Sequence, residues 1–301
     1  MAPACDALHV ARAESHPMRF AFAGIDFLGD VFLTLLDRGW TPVKLFTRPC
    51  DKVYDFNETV VGRARSLNIP IHLSRIRPPD LASLPSLRCE ALIVAGYPWL
   101  VTGWEAHLPY AVNVHPSPLP VGRGPYPLFQ AILSGASEWG ITAHKLAPSF
   151  DTGAIVAQER FPVAPNETHD SLLAKCQMGA KRLAATLASE LPAVWATAEP
   201  QGEGSYWPRV AEGERTLDWT RSVAEVLRTV RAFGSIEAIA PLDKTRVYVR
   251  AATGWTEAHR VKPGTLVHSH RRHLVVAARD GFVQLTAWSP VPLEQARDFG
   301  R

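Results

Sequence analysis

The chain has 301 residues, with 32 Lys and Arg against 29 Asp and Glu, 47% hydrophobic residues and 20% charged ones. This balance excludes wholesale disorder, and a net charge of +3 is too small to demand a polyanionic partner. No uninterrupted apolar run approaches the roughly 18 residues needed to cross a bilayer. The first 17 residues lack the apolar stretch of a secretory signal and are expected to form a disordered tail. Cysteines at positions 5, 50, 89 and 176 are too scattered for a disulfide framework or a metal knot. The expectation is a reduced, soluble, cytoplasmic protein.

In chain order, Arg19–Gly24 is a short apolar run ending in glycine, as in a buried parallel strand. Phe27, Leu28, Val31, Phe32, Leu35 and Leu36 recur at helical spacing, with Gly39 placed to end that helix. Pro42–Thr47 reads as the next strand, and the three elements make a strand–helix–strand unit. A helix is predicted near Glu58–Leu67, then strands at Ile69–Leu73, Ala91–Ala95 and Ala111–His115. Tyr126–Leu133 reads as helix, Gly140–Leu146 and Ala154–Glu159 as strands, and Asp170–Leu191 as a long helix. This alternation predicts an α/β, Rossmann-like, mostly parallel sheet.

From about Pro192 the pattern changes. Glu199–Ser205 is linker-like, and a helix follows at Ser222–Phe233. Short β-like runs come at Arg246–Ala251, Gly264–His268, Leu274–Ala278 and Phe282–Ala287. They predict a small β-rich, OB-like C-terminal domain. The expected division is a tail over 1–17, a catalytic domain over 18–204 and a β-barrel-like domain over 205–301. Residues 1–204 carry 17 basic and 19 acidic side chains and residues 205–301 carry 15 and 10, so the last third is the basic part.

The turn after the first strand has no GxGxxG, and neither a Gly-Lys-Ser/Thr phosphate loop nor a GxSxG elbow occurs anywhere. His268, His270 and His273, with His259, read as part of a polar, basic turn and not as a metal site, since no cysteine or carboxylate pairs with them. The informative segment is Asn113-Val114-His115-Pro116-Ser117-Pro118-Leu119-Pro120, followed by Arg123-Gly124. Asn113 and His115 share a face at a strand end, and the prolines stiffen the loop that follows. Downstream, Phe150-Asp151-Thr152-Gly153 sets a carboxylate in a tight turn before a strand.

With Gly140-x-Thr142 between them, these motifs in this order resemble the folate-dependent formyltransferases, a family that includes methionyl-tRNA formyltransferases and aminosugar N-formyltransferases. The resemblance covers about 19–191, with a weaker match through the β-rich tail. It implies formyl transfer from 10-formyltetrahydrofolate to an amine without a metal. His115 would be the proton shuttle, Asn113 the donor to the formyl oxygen and Asp151 the carboxylate that orients the imidazole. Ser117 and Thr142 would support these residues or cap local backbone. The pterin would sit between Gly96-Tyr97-Pro98-Trp99-Leu100-Val101 and Leu146-Ala147-Pro148-Ser149-Phe150, with plain core packing the competing role for Tyr97 and Trp99. The chain departs from the family at Pro118, usually Leu, and at Val121-Gly122, usually a bulky basic or aromatic pair.

The acceptor is the least determined element. Relatives acting on initiator tRNA resemble one another in a basic insertion after the second strand, where this chain has Arg48–Glu58 with two basic and three acidic residues. A small-molecule amine, such as a nucleotide aminosugar or a biosynthetic intermediate, is therefore the expected acceptor, with methionyl-tRNA the alternative. A formyltetrahydrofolate hydrolase or a non-catalytic folate binder are further alternatives. The hydrolases resemble one another in an additional N-terminal domain, and a pure binder has no need of a shuttle, a donor and an orienter together. No membrane partner is expected, and the oligomeric state stays open, a homodimer included.

Overall fold

The computed structural model describes residues 17–296 apart from 272, so the expected tail lies, except for Pro17, outside the described residues. The chain begins with β1 (Arg19–Gly24), α1 (Asp30–Asp37) and β2 (Thr41–Phe46). Gly39, at φ +86°, turns the chain out of α1 in the left-handed conformation that glycine adopts without strain. Next come α2 (Glu58–Ser66), β3 (Ile71–His72), α3 (Pro78–Ser83), β4 (Ala91–Ala95) and β5 (Tyr110–His115). The first two thirds of the chain end with α4 (Pro127–Leu133), β6 (Glu138–Lys145), β7 (Ile155–Pro162) and the 28-residue α5 (His169–Ala196). The seven strands form one sheet in the order β3-β2-β1-β4-β5-β6-β7, parallel from β3 to β5 and antiparallel at β5–β6 and β6–β7.

Each face of this sheet is covered. Phe20, Phe22, Ile93, Val112 and Val114 point to the side where α1 packs on α5, with Phe22 and Phe32 rings 5.0 Å apart. Leu92, Val94 and Ala111 point to the other side and pack with Tyr97, Val101 and Trp104. Full burial of side chains of this size contributes about 2 kcal/mol each. Because side chains alternate along a strand, Asn113 and His115 share the face of Ala111.

Several elements differ from the expectation. β3 pairs with β2 only at Ile71 and His72, and Leu73 is exposed. α3 was not foreseen; it starts at two prolines and is closed by the Asp80 carboxylate accepting from Arg77 N–H. α5 runs five residues beyond the predicted end, passing Pro192. A proline there has no N–H for the carbonyl of Ala188. Trp40 Nε1–H donates to that carbonyl at 3.2 Å from α1's C-terminal turn, so the orphaned acceptor is satisfied and the helix continues. Trp195 then packs edge-on against Trp104 and Tyr110.

The last third contains α6 (Val223–Phe233), β8 (Ala238–Leu242), β9 (Thr245–Thr256), β10 (Leu266–His270), β11 (His273–Ala277) and β12 (Gly281–Ser289). Ser222 and Glu225 cap α6 reciprocally through side chain and backbone. The strands make an antiparallel sheet in the order β10-β11-β12-β9-β8, with β10 and β8 at its edges. β8 was missed in the sequence because Pro241 interrupts it, and an edge strand is where proline is tolerated. α6 packs on β9, and Phe233 stacks on Phe129 of α4 at 5.1 Å, which joins the last third to the rest of the chain. Among the described residues no helix is long and apolar enough to cross a membrane.

Candidate active site

The register of β5 and β6 sets four polar side chains on one face. His115 pairs with Thr142 and Asn113 with His144, and all four lie on the side away from α1 and α5. Asp151 reaches them from the turn before β7 with a left-handed backbone, φ +58°, which Asp tolerates better than most residues. That turn is tight enough that a Cβ on Gly153 would sit 1.8 Å from the Lys145 carbonyl oxygen.

The Asp151 carboxylate is the hub. Its Oδ1 lies 3.5 Å from His115 Nδ1, 3.6 Å from His144 Nε2 and 3.3 Å from Asn113 Nδ2. Its Oδ2 accepts from Gly124 N–H at 2.9 Å. Burial alone would raise its pKa, but His115, the His144 contact and the Gly124 N–H outweigh it and hold the carboxyl at about 2. His115 is buried, and that burial lowers its pKa. Asp151 and the Gly122 carbonyl pull it back up, and His144 pushes it down. His115 Nε2 lies 2.9 Å from the Gly122 carbonyl oxygen, so both ring nitrogens face acceptors.

His144 was missed by sequence reasoning. Its Nδ1–H donates to the Lys145 carbonyl at 2.8 Å, which leaves Nε2 to accept from Asn113 Nδ2 at 3.0 Å. That pairing fixes which way the Asn113 amide points. A lone histidine on a strand carries no spacing signal. Its only trace is the Thr142-x-His144 alternation opposite Asn113-x-His115.

Thr142 donates to the Ser117 carbonyl at 2.7 Å and accepts from Leu119 N–H and Gln158, so it braces the proline loop. Ser117 Oγ is buried without a hydrogen-bond partner. The two stretches expected to hold a pterin divide. Gly96, at φ +70°, follows β4 beside the end of β5. Tyr97 is buried, its hydroxyl donating to Ser74 O and accepting from Ile76 N–H, which is the core-packing role. Trp99 packs edge-on against Tyr97, and both Trp99 and Leu146 pack against the cluster on the Asn113 face. Val101 is buried, Leu100 and Ala147 are half-buried, and Pro98 and Phe150 are exposed. The two stretches thus converge on one face of the sheet. His268, His270 and His273 lie on the β10–β11 hairpin, and among the described residues no cluster of His, Cys, Asp or Glu could hold a metal.

Residues 74–186 match the sequence model of the formyl transferase family and residues 209–291 that of the formyl transferase C-terminal domain. A methionyl-tRNA formyltransferase from Marinobacter nauticus is 28% identical over 291 residues, covering 90% of this chain and 91% of that protein. HypX from Aquifex aeolicus superposes with a TM-score of 0.68 at 20% identity, covering 95% of this chain. The chain spans about half the length of HypX, 49%. WlaRD, a sugar 3N-formyl transferase solved in the presence of dTDP and 5-N-formyl-THF, superposes with a TM-score of 0.66 at 16% identity, covering 91% of this chain and 98% of WlaRD.

Proposed function

This chain belongs to the formyl transferase family, and on that premise we propose that it moves the formyl group of 10-formyltetrahydrofolate to a primary amine of a small molecule. The observation that carries the chemistry is the convergence of Asn113, His115 and Asp151, residues 38 positions apart at the extremes, within 3.5 Å of one carboxylate oxygen. Transfer forms a bond between the amine nitrogen and the formyl carbon and breaks the bond to folate N10. The amine must lose a proton and N10 must gain one. His115 performs both transfers through Nε2, the nitrogen that faces the acceptor loop; the amine replaces the Gly122 carbonyl there. Asp151 stabilises the imidazolium that forms between the two transfers.

Asn113 Nδ2–H is the donor to the formyl oxygen as negative charge develops. Its contact to Asp151, at 3.3 Å, is the longer of its two and the one a charged oxygen displaces. The folate fits the face where Gly96–Val101 and Leu146–Phe150 converge. Strand-end backbone there suits a pterin edge, and Trp99 and Leu146 offer apolar surface to the ring. The catalytic side chains all belong to the unit we assign to 18–204, with 205–301 forming the wall beyond it.

A small acceptor is favoured by the charges around the mouth. Arg48 and Lys52, the two basic residues of the Arg48–Glu58 loop, are paired with Asp55 and Glu58. Val121, Tyr126, Phe150 and Tyr206, adjoining the Gly122 loop and the Asp151 turn, are exposed apolar side chains, and the Arg123 guanidinium on that loop is bonded to Gln201 and Gly202. Neither arrangement tracks a phosphate backbone. The methionyl-tRNA relative, similar over nine-tenths of both chains, keeps tRNA as the second reading. Formyl incorporation into nucleotide aminosugars, compared with methionylated initiator tRNA at low and physiological salt, tests the choice. Preferential incorporation into tRNA with steep salt dependence refutes the small acceptor.

A further inference from the structure

The segment after α5, expected as a linker, is bonded into the site. Arg123 N–H donates to Ser205 O at 2.9 Å, Trp207 N–H to Arg123 O at 2.7 Å, and Ser205 N–H to Pro120 O at 3.2 Å. Gly122 N–H donates to Ser205 Oγ at 2.9 Å. The approach is close enough that a Cβ on Gly204 would lie 2.1 Å from Pro120 O, and one on Gly124 2.2 Å from Trp207 O. Residues 199–207 therefore strap the loop that presents Gly122 to His115.

At the centre of the strap is Gln201. Its Nε2 donates to Asp151 O at 2.9 Å and to Gly153 O at 2.7 Å. Its Oε1 accepts from Arg123 Nε and Nη2 at 3.0 and 2.9 Å, and the same guanidinium donates to Gly202 O. One carboxamide thus spends both its hydrogens on the turn of Asp151 and its oxygen on the loop of Gly122. These are the two segments whose acceptors hold opposite nitrogens of His115.

We propose that Gln201 is a positioning residue for formyl transfer, fixing the distance between the Asp151 turn and the Gly122 loop so that the His115 imidazole is held between them. The proposal rests on the formyl-transfer reading for its effect on rate, and on geometry alone for its effect on His115. The Asp151 carboxylate also ties the turn to this loop, through Gly124 N–H at 2.9 Å; Gln201 adds the tie that runs from the backbone carbonyls of Asp151 and Gly153 to the Arg123 guanidinium.

The test is Gln201→Met, which keeps the volume and removes every hydrogen bond, beside Gln201→Glu, which keeps an oxygen for Arg123 and loses both donations. Two readouts are taken: steady-state kinetics, and NMR titration of the His115 imidazole in histidine-labelled protein, which needs no turnover. The groups facing His115 are Asp151 from its turn, the Gly122 carbonyl from the loop and His144 from β6. Loosening the first two while His144 stays should lower the His115 titration midpoint. We expect both variants to lose at least about tenfold in kcat with KM for the formyl donor within about threefold of wild type, and His115 to titrate at lower pH in Gln201→Met, which adds no charge. Gln177→Ala, which removes a bond from α5 to Phe27 O, should change neither readout. Wild-type kcat and an unmoved His115 titration in Gln201→Met, with only a lower Tm, would overturn the proposal. If Gln201→Met does not fold, the neutral Gln201→Leu decides by the same two readouts, and Gln201→Glu by its kcat against KM. If the wild type transfers formyl to no amine, the formyl-transfer reading falls, and the His115 titration still decides the role of Gln201.

Discussion

Asp151→Asn removes the charge at the hub of the site while leaving its shape. The position has φ +58°, which Asn adopts as readily as Asp, so the turn is not strained by the change. Holding the carboxyl at about 2 instead of 3.8 corresponds to about 2 kcal/mol of preference for the charged form. If that preference is expressed while His115 carries the proton, its loss lowers kcat/KM by about thirtyfold. Without the carboxylate the imidazole is harder to protonate, so the acid limb of the kcat/KM profile should move to lower pH. The linkage to stability has a definite sign. A depressed carboxyl stabilises the fold fully above 3.8, and that contribution is lost as pH falls toward about 2. Asp151→Asn should therefore flatten the acid dependence of stability in that window. The assay is kcat/KM from pH 5 to 9 together with Tm at acid pH. An unchanged kcat/KM, or an acid limb that moves upward, refutes the reasoning.

Three further outcomes follow from the packing. His144→Ala leaves Asn113 Nδ2 without its 3.0 Å acceptor and should cost about fivefold in kcat/KM, with a lower Tm because a buried ring and its bond to Lys145 O are lost, checked by steady-state kinetics and calorimetry. Gly153→Ala forces a Cβ to 1.8 Å from Lys145 O and should destabilise by about 2 kcal/mol or more, read from denaturant unfolding, with activity lost as Asp151 moves. Trp40→Phe removes the donor to Ala188 O and should cost about 1–3 kcal/mol. In a Pro192→Ala background residue 192 regains an N–H for that carbonyl, so the cost of Trp40→Phe should shrink; equal costs in both backgrounds would count against this explanation of how α5 passes its proline.

The site residues that could be read from the sequence are those whose neighbours are close along the chain. Asn113 and His115 announce themselves by sharing a strand face ahead of three prolines, and Asp151 by its glycine turn. His144 and Gln201 do not, because each acts through a partner far away in sequence. His144 matters through strand register opposite Asn113, and Gln201 through bonds to residues about 50 positions earlier. The same distinction runs through the fold. Buried strands such as Ala91–Ala95 were legible as apolar runs, and α6 as an amphipathic helix. The end of α5 was not, since the rule that proline stops a helix is overridden here by a tryptophan 148 residues earlier. For Tyr97 the sequence left ligand contact and core packing open, and the structure adds that its hydroxyl is bonded to Ser74 O and Ile76 N–H.

The central claim is that His115 carries the proton in formyl transfer to an amine. The most direct measurement is single-turnover transfer from 10-formyltetrahydrofolate to the preferred amine, wild type against His115→Ala, with folate affinity measured on both proteins. The expected result is retained folate binding and a loss of transfer of at least about a hundredfold in the variant. Transfer at the wild-type rate by His115→Ala would contradict the account.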